Sequence, residues 1–126
     1  MAQTVTLEGT LTIGESTLAL ASKTLNKVSA TITKYAKGEI IKAVAGAQVI
    51  NLQGMTSVRF LWIKITDSLG TATVKEATIA TGTDIIASQE CDEFMEFYSD
   101  TALAASSLTV TTLDNDSKIE YIIGGN

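Results

Sequence analysis

Five carboxylates fall between residues 90 and 100, at Glu90, Asp92, Glu93, Glu96 and Asp100. Oxygen donors at this density suggest a Ca²⁺ site, which takes roughly six to eight oxygen ligands. Strand alternation works against it, because it sends Glu93 and Glu96 to opposite faces of a sheet. A solvated acidic rim is the plainer reading. A second oxygen-rich group, Asp114-Asn115-Asp116, lacks the further ligands and the closing Glu of a twelve-residue cation loop. Asp and Asn tolerate left-handed backbone and cap their own turns, so a hairpin turn is expected there. Asp92, Glu93, Asp114 and Asp116 are therefore the metal-ligand candidates of a chain for which no metal or cofactor is expected.

Covalent chemistry has less to stand on. The chain has no His and one Cys, Cys91, set in the acidic run Gln89-Glu90-Cys91-Asp92-Glu93. Neighbouring carboxylates disfavour the thiolate, the reactive form, and a single Cys makes no intramolecular disulfide. A Ser, Thr or Cys nucleophile needs a base beside it, and no spacing selects a Lys or carboxylate for that task. Paired carboxylates hydrolyse glycosides, but no pair stands out. The expectation is a protein that is not an enzyme.

Aromatic side chains offer binding rather than reaction. Trp62, with Phe60 beside it, could stack on a sugar, and Tyr35 and Tyr98 could join it. Trp62 lies in the most apolar segment of the chain, however, and core packing is the simpler expectation for it.

The elements that position these residues read as strands. Thr4 to Ile13 alternates, with Val5, Leu7, Gly9, Leu11 and Ile13 on one side and Thr4, Thr6, Glu8, Thr10 and Thr12 on the other. Period-2 alternation marks a half-buried strand, and Gly9 marks a bulge or close approach. Ile13 to Ser16 reads as a turn. A second strand is expected over 26–35, with a turn at Lys34, Lys37 and Gly38, then strands over 39–45 and 48–52. Ser57 to Thr66 is apolar on both sides, as a covered central strand would be. Turn chemistry follows at Asp67 to Gly70, then a short strand over 71–77. Residues 78–93 are the least patterned, with a loop suggested at Gly82, Thr83 and Asp84 and a short strand at Ile85-Ile86. Strands are expected at 93–98, 108–113 and 119–123, with a helical turn near 102–105. Gly124 and Gly125 read as a loose end.

This makes eight or nine short, evenly spaced strands, the count of an all-β sandwich or barrel in one domain. The expected core is Val58, Phe60, Trp62, Phe97, Val110, Ile119 and Tyr121. With 126 residues the chain can bury a core without disulfides or metal. Its 29 Ser and Thr residues replace much of the usual charge, which stands at 18%. Threonine provides a polar yet β-branched outer face.

A net charge of −5 with scattered basic residues lacks the clustered Lys and Arg that grip phosphate backbones. No nucleic acid partner is expected. The apolar stretch from Ile40 to Ala47 is too short to span a bilayer and carries Lys42, so no membrane partner is expected either. Met1 to Thr4 leads directly into strand pattern, without the basic region and apolar run of a secretory signal.

The segment Val58-Arg59-Phe60-Leu61-Trp62-Ile63-Lys64-Ile65-Thr66-Asp67 is a strong strand ending in a turn. An acidic-aromatic strand at Glu93 to Tyr98 follows. Leu108 to Thr112, the Asp-Asn-Asp turn and Ile119-Glu120-Tyr121-Ile122-Ile123-Gly124 close the chain. This order resembles the small single jelly-roll proteins with which tailed bacteriophages decorate or cement their capsids. The likeness covers residues 57–126 and, more weakly, the first half.

The resemblance implies a single antiparallel jelly-roll-like β-sandwich over 25–126, with residues 1–24 as an N-terminal arm or edge strands. It also implies a homotrimer seated on the shell of the major capsid protein, on the capsid surface of a virion assembled in a host cytoplasm. Val5, Leu7, Leu11 and Ile13 are then the candidates for capsid or subunit contact. Related jelly rolls serve in phage tails, necks and fibres. A carbohydrate-binding β-sandwich module is the reading from another functional class.

Overall fold

The computed structural model describes residues 1–13, 21–71, 75–90, 93–97, 103–104 and 107–126, and the side chains among them except those of 7–13, 21–29, 89–90, 97 and 103–104. Its described elements are all strands: β1 Gln3–Ile13, β2 Ala21–Ile32, β3 Lys34–Lys42, β4 Gly46–Ile50, β5 Ser57–Asp67, β6 Glu76–Thr81, β7 Asp84–Glu90, β8 Glu93–Phe97, β9 Leu103–Ala104, β10 Leu108–Thr112 and β11 Ser117–Gly125. The all-β expectation holds.

Two sheets form the sandwich. One runs β4-β10-β6-β7; the other runs β3-β11-β5-β8, with the short β9 added to the start of β5. The pairings are nested. β6 pairs with β7, β5 with β8, β4 with β10 and β3 with β11, all antiparallel. Each pair encloses the one before it along the chain.

Alternation explains why the two inner faces meet. In β10, Leu108, Val110 and Thr112 are buried and Thr109 and Thr111 are half-exposed. In β6, Ala77, Ile79 and Thr81 are buried in the same rhythm. Leu108, Val110, Ala77, Ile79 and Ile50 pack against Leu61, Ile63, Ile65, Ile119 and Ile123 of the other sheet in one apolar cluster. Val58, Val110 and Ile119 belong to it as expected, and half-buried Tyr121 packs against its edge.

Two expected core residues lie outside this cluster between the sheets. Gly124 pairs with Phe60 but Gly125 pairs with Val58, so Arg59 is an extra residue in β5. A bulge of one residue reverses the face of everything beyond it. Val58 therefore shares the inner face with Leu61, Ile63 and Ile65, while Phe60 and Trp62 turn to the outer face. Phe60 is still buried, but in a separate apolar pocket of about 210 Å³ with Val5, Ile32 and Tyr35. Trp62 is only half-buried. The side chain of Phe97 lies outside the described residues.

β1 and β2 form a two-stranded sheet of their own, in register from Gln3 opposite Ile32 to Ile13 opposite Ala21. The register shifts between Leu7 and Gly9, where the glycine suggested a bulge. The paired unit therefore extends to Ile32, past residue 24. Its base rests on the outer face of the β3-β11-β5-β8 sheet, where Ile32 sits over Gly124 so closely that a Cβ on the glycine would lie 2.7 Å from Ile32 Cδ1.

The connections also depart from expectation. Lys34 to Gly38 is strand, not turn. The unpatterned stretch is a tight hairpin, β6–β7, in which Thr81 faces Asp84 and Gly82 takes φ 58°. Gly70 N donates to Asp67 O at 2.9 Å, closing the turn expected there. Gly124 and Gly125 are the last paired residues of β11, and Asn126 exchanges backbone hydrogen bonds with Ser57. Part of the expected helical turn is the strand β9; the turn expected after Ile13 falls on residues outside the described ones, apart from Ile13 itself.

Candidate functional site

The bulge at Arg59 places the only Trp of the chain on the outer face of the β3-β11-β5-β8 sheet. Cross-strand register then dictates its neighbours. Lys37, Ile122, Trp62 and Met95 form one row across the four strands, and Glu39, Glu120, Lys64 and Glu93 form the next. Directly opposed residues of neighbouring strands stand about 5 Å apart at their β-carbons. An apolar strip therefore runs beside a charged one.

Ile122 and Met95 flank Trp62 and are 43% and 41% exposed, far above the residues of the inner faces. Trp62 Nε1 donates to Glu93 Oε1, reaching diagonally to the next row. In the charged row, Lys118 Nζ lies 3.2 Å from Glu39 Oε2 and 3.9 Å from Glu120 Oε1. Between Trp62 and β3 lies a groove of about 370 Å³, lined by Lys37, Glu39, Glu120 and Ile122 as well as Trp62. Tyr35, 56% exposed, is one row further along β3. Tyr98 lies outside the described residues.

The metal-ligand candidates among the described residues do not form a metal-holding group. Glu93 is engaged by Trp62. Asp114 Oδ2 accepts the Glu76 amide at 2.9 Å, and Ser117 Oγ donates to Asp114 O. Asp116 is exposed with φ 56°, as a turn residue. Asp92 lies outside the described residues, and among those described no group of three His, Cys, Asp or Glu side chains could hold a metal. The Asp114–Ser117 segment is not a hairpin turn, because β10 and β11 belong to different sheets. It is an arch between the layers. Asn115 Oδ1 accepts the Ala45 amide and so ties it to the neighbouring β3–β4 connection.

Of the contact candidates on β1, Val5 is half-buried at the apolar pocket under the ribbon. The side chains of Leu7, Leu11 and Ile13 lie outside the described ones. Lys37, Glu39, Glu120, Ile122 and Met95 join the site through register alone. The one sequence signal for this face is parity: Trp62 and Lys64 alternate with Leu61, Ile63 and Ile65.

No family model, no curated protein and no solved structure matches this chain.

Proposed function

We propose that this chain is a virion structural protein that decorates and cements the capsid of a tailed bacteriophage, as a homotrimer on the shell of the major capsid protein. The observation that carries the reading is the β1–β2 ribbon. It is hydrogen-bonded as a sheet of its own, and both strands are longer than most in the sandwich. Two strands alone are marginally stable in water, and an unpaired edge invites another chain. A ribbon of this kind gains its cover from a neighbouring subunit, and closed symmetry limits such contacts to a fixed number of copies. The first paired strands then serve as the arm that the resemblance assigns to the N-terminus.

The nested pairing of β3 with β11, β4 with β10, β5 with β8 and β6 with β7 supports the jelly-roll part of this reading. It is the pairing of a long antiparallel ribbon rolled over on itself. The Thr-rich outer face of the other sheet, with Thr109, Thr111 and Thr78 in adjoining strands, suits a protein that works by contact.

Multi-angle light scattering of the purified chain, followed by co-sedimentation with emptied capsids, tests the reading. A trimer that saturates its capsid supports it. A monomer that does not bind shells overturns it. A hexamer or larger ring would assign the chain to a tail, neck or fibre instead.

A further inference from the structure

We infer that the groove beside Trp62 is a saccharide site, for a neutral pyranose or a short run of them. A pyranose has two chemical surfaces: a face of C–H bonds and a rim of hydroxyls. The groove presents a partner for each. Trp62 supplies a flat apolar wall, and Ile122 lies next to it in the same row. Lys37, Glu39 and Glu120 supply donors and acceptors on the side away from the indole. Aromatic rings give large, rigid contact area while their polar tips find hydrogen bonds.

The indole is held before any ligand arrives. Trp62 Nε1 donates to Glu93 Oε1, which fixes the ring against rotation and removes part of the ordering cost of binding. Lys118 braces the opposite side by bridging Glu39 and Glu120 at 3.2 and 3.9 Å. The groove volume of about 370 Å³ lies in the range of small-ligand sites, roughly 300–1,000 Å³.

Charge narrows the class. The two carboxylates that line the groove, Glu39 and Glu120, outnumber its one lining cation, Lys37, and the chain carries −5 overall. Like charges in a partly desolvated site are costly to bring together, so phosphate and acidic sugars are poor matches and neutral sugars good ones. The inference is independent of the capsid reading, since it concerns one face of a single subunit.

Trp62 is the only Trp, so its fluorescence reports the site directly. The full chain is titrated with glucose, galactose, mannose, N-acetylglucosamine and their β-linked dimers. The expected result is a saturable change with at least one sugar, at a Kd of about 1 mM or below. Glu120→Gln and Lys37→Ala, both on the outer face, are expected to weaken binding at least about fivefold with unchanged melting temperature. Isothermal titration of Trp62→Ala, whose fold is checked by circular dichroism, should show binding lost. Absence of a saturable change with every sugar overturns the inference. So does a response to inorganic phosphate or a simple alkylamine that no sugar reproduces. Oligomeric state is read separately by light scattering, so failure here leaves the capsid reading to its own test.

Discussion

Gly125 lies against the backbone of Ser57 so closely that a β-carbon on it would stand 1.8 Å from the Ser57 carbonyl oxygen. The contact sits at the Arg59 bulge, where Gly125 faces Val58 and Asn126 takes up the next backbone hydrogen bonds, with Ser57. The atoms met are all backbone, so no side-chain movement can relieve the contact. Gly125→Ala is therefore expected to destabilise the protein by at least about 3 kcal/mol. Gly82 is the control. It has φ 58°, but a Cβ there meets nothing within 4 Å, so Gly82→Ala carries only the left-handed backbone cost of about 1 kcal/mol. Urea denaturation of both variants checks this, and equal losses would contradict it.

Gly124 offers a milder case. The atoms a Cβ would meet all belong to the Ile32 side chain, the nearest being its terminal Cδ1 at 2.7 Å. Gly124→Ala should push Ile32 off the sheet and loosen the seat of the β1–β2 ribbon while the sandwich stays folded. Hydrogen exchange is expected to quicken in residues 30–32 and remain slow in β10. Uniform quickening throughout would mean that the ribbon and sandwich unfold together.

Leu61 and Trp62 are chain neighbours with opposite roles. Leu61 is fully buried between the sheets, and Leu61→Ala should cost about 2–5 kcal/mol. Trp62→Phe should cost less than about 1 kcal/mol, as a half-exposed substitution that keeps an aromatic face. Thermal melts of the pair settle the face assignment. A Trp62→Phe loss as large as that of Leu61→Ala would return the indole to the core.

Asp114 holds backbone in place. Its Oδ2 accepts the Glu76 amide at 2.9 Å. Asp114→Ala is expected to cost about 1–3 kcal/mol, the worth of a hydrogen bond to a charged acceptor. Melting of the parent protein should be the same in 5 mM CaCl₂ and in EDTA, whereas a Ca²⁺ site with a Kd of about 50 μM would add about 2.7 kcal/mol. A rise with Ca²⁺ that Asp114→Ala abolishes would restore the metal reading.

How much of this was legible in the residues depends on the range of the signal. Period-2 patterns located β5, β10 and β11, because burial on one face is written every second residue. Of the β6–β7 hairpin only the turn at Gly82 and a short strand at Ile85-Ile86 were legible, since Ala77, Ala80 and Ala87 are too small to carry a pattern. The face of Trp62 was read wrongly for a different reason. One extra residue, Arg59, inverts the alternation, and nothing local announces it apart from the pair Gly124-Gly125 on the partner strand. The groove itself was out of reach, because Lys37, Trp62 and Ile122 meet only through register between strands distant in sequence.

The nested strand pairs carry a kinetic consequence. β6 and β7 are joined by two residues, so their pairing closes the shortest loop in the sandwich, whereas β3 must find β11 across most of the chain, Lys34 against Gly125 at the extreme. Loop-closure entropy rises with each enclosing pair, so assembly runs outward from β6–β7 and finishes with β3–β11. Such a non-local fold belongs with the slow two-state class, folding in roughly milliseconds to seconds. Temperature-jump refolding that is complete in microseconds would place the chain outside that class. The last pairing to form is also the one that brings Lys37 and Tyr35 of β3 beside Ile122 and Gly124, which β11 already holds against Trp62 and Phe60, so the groove is completed only when the chain has closed on itself.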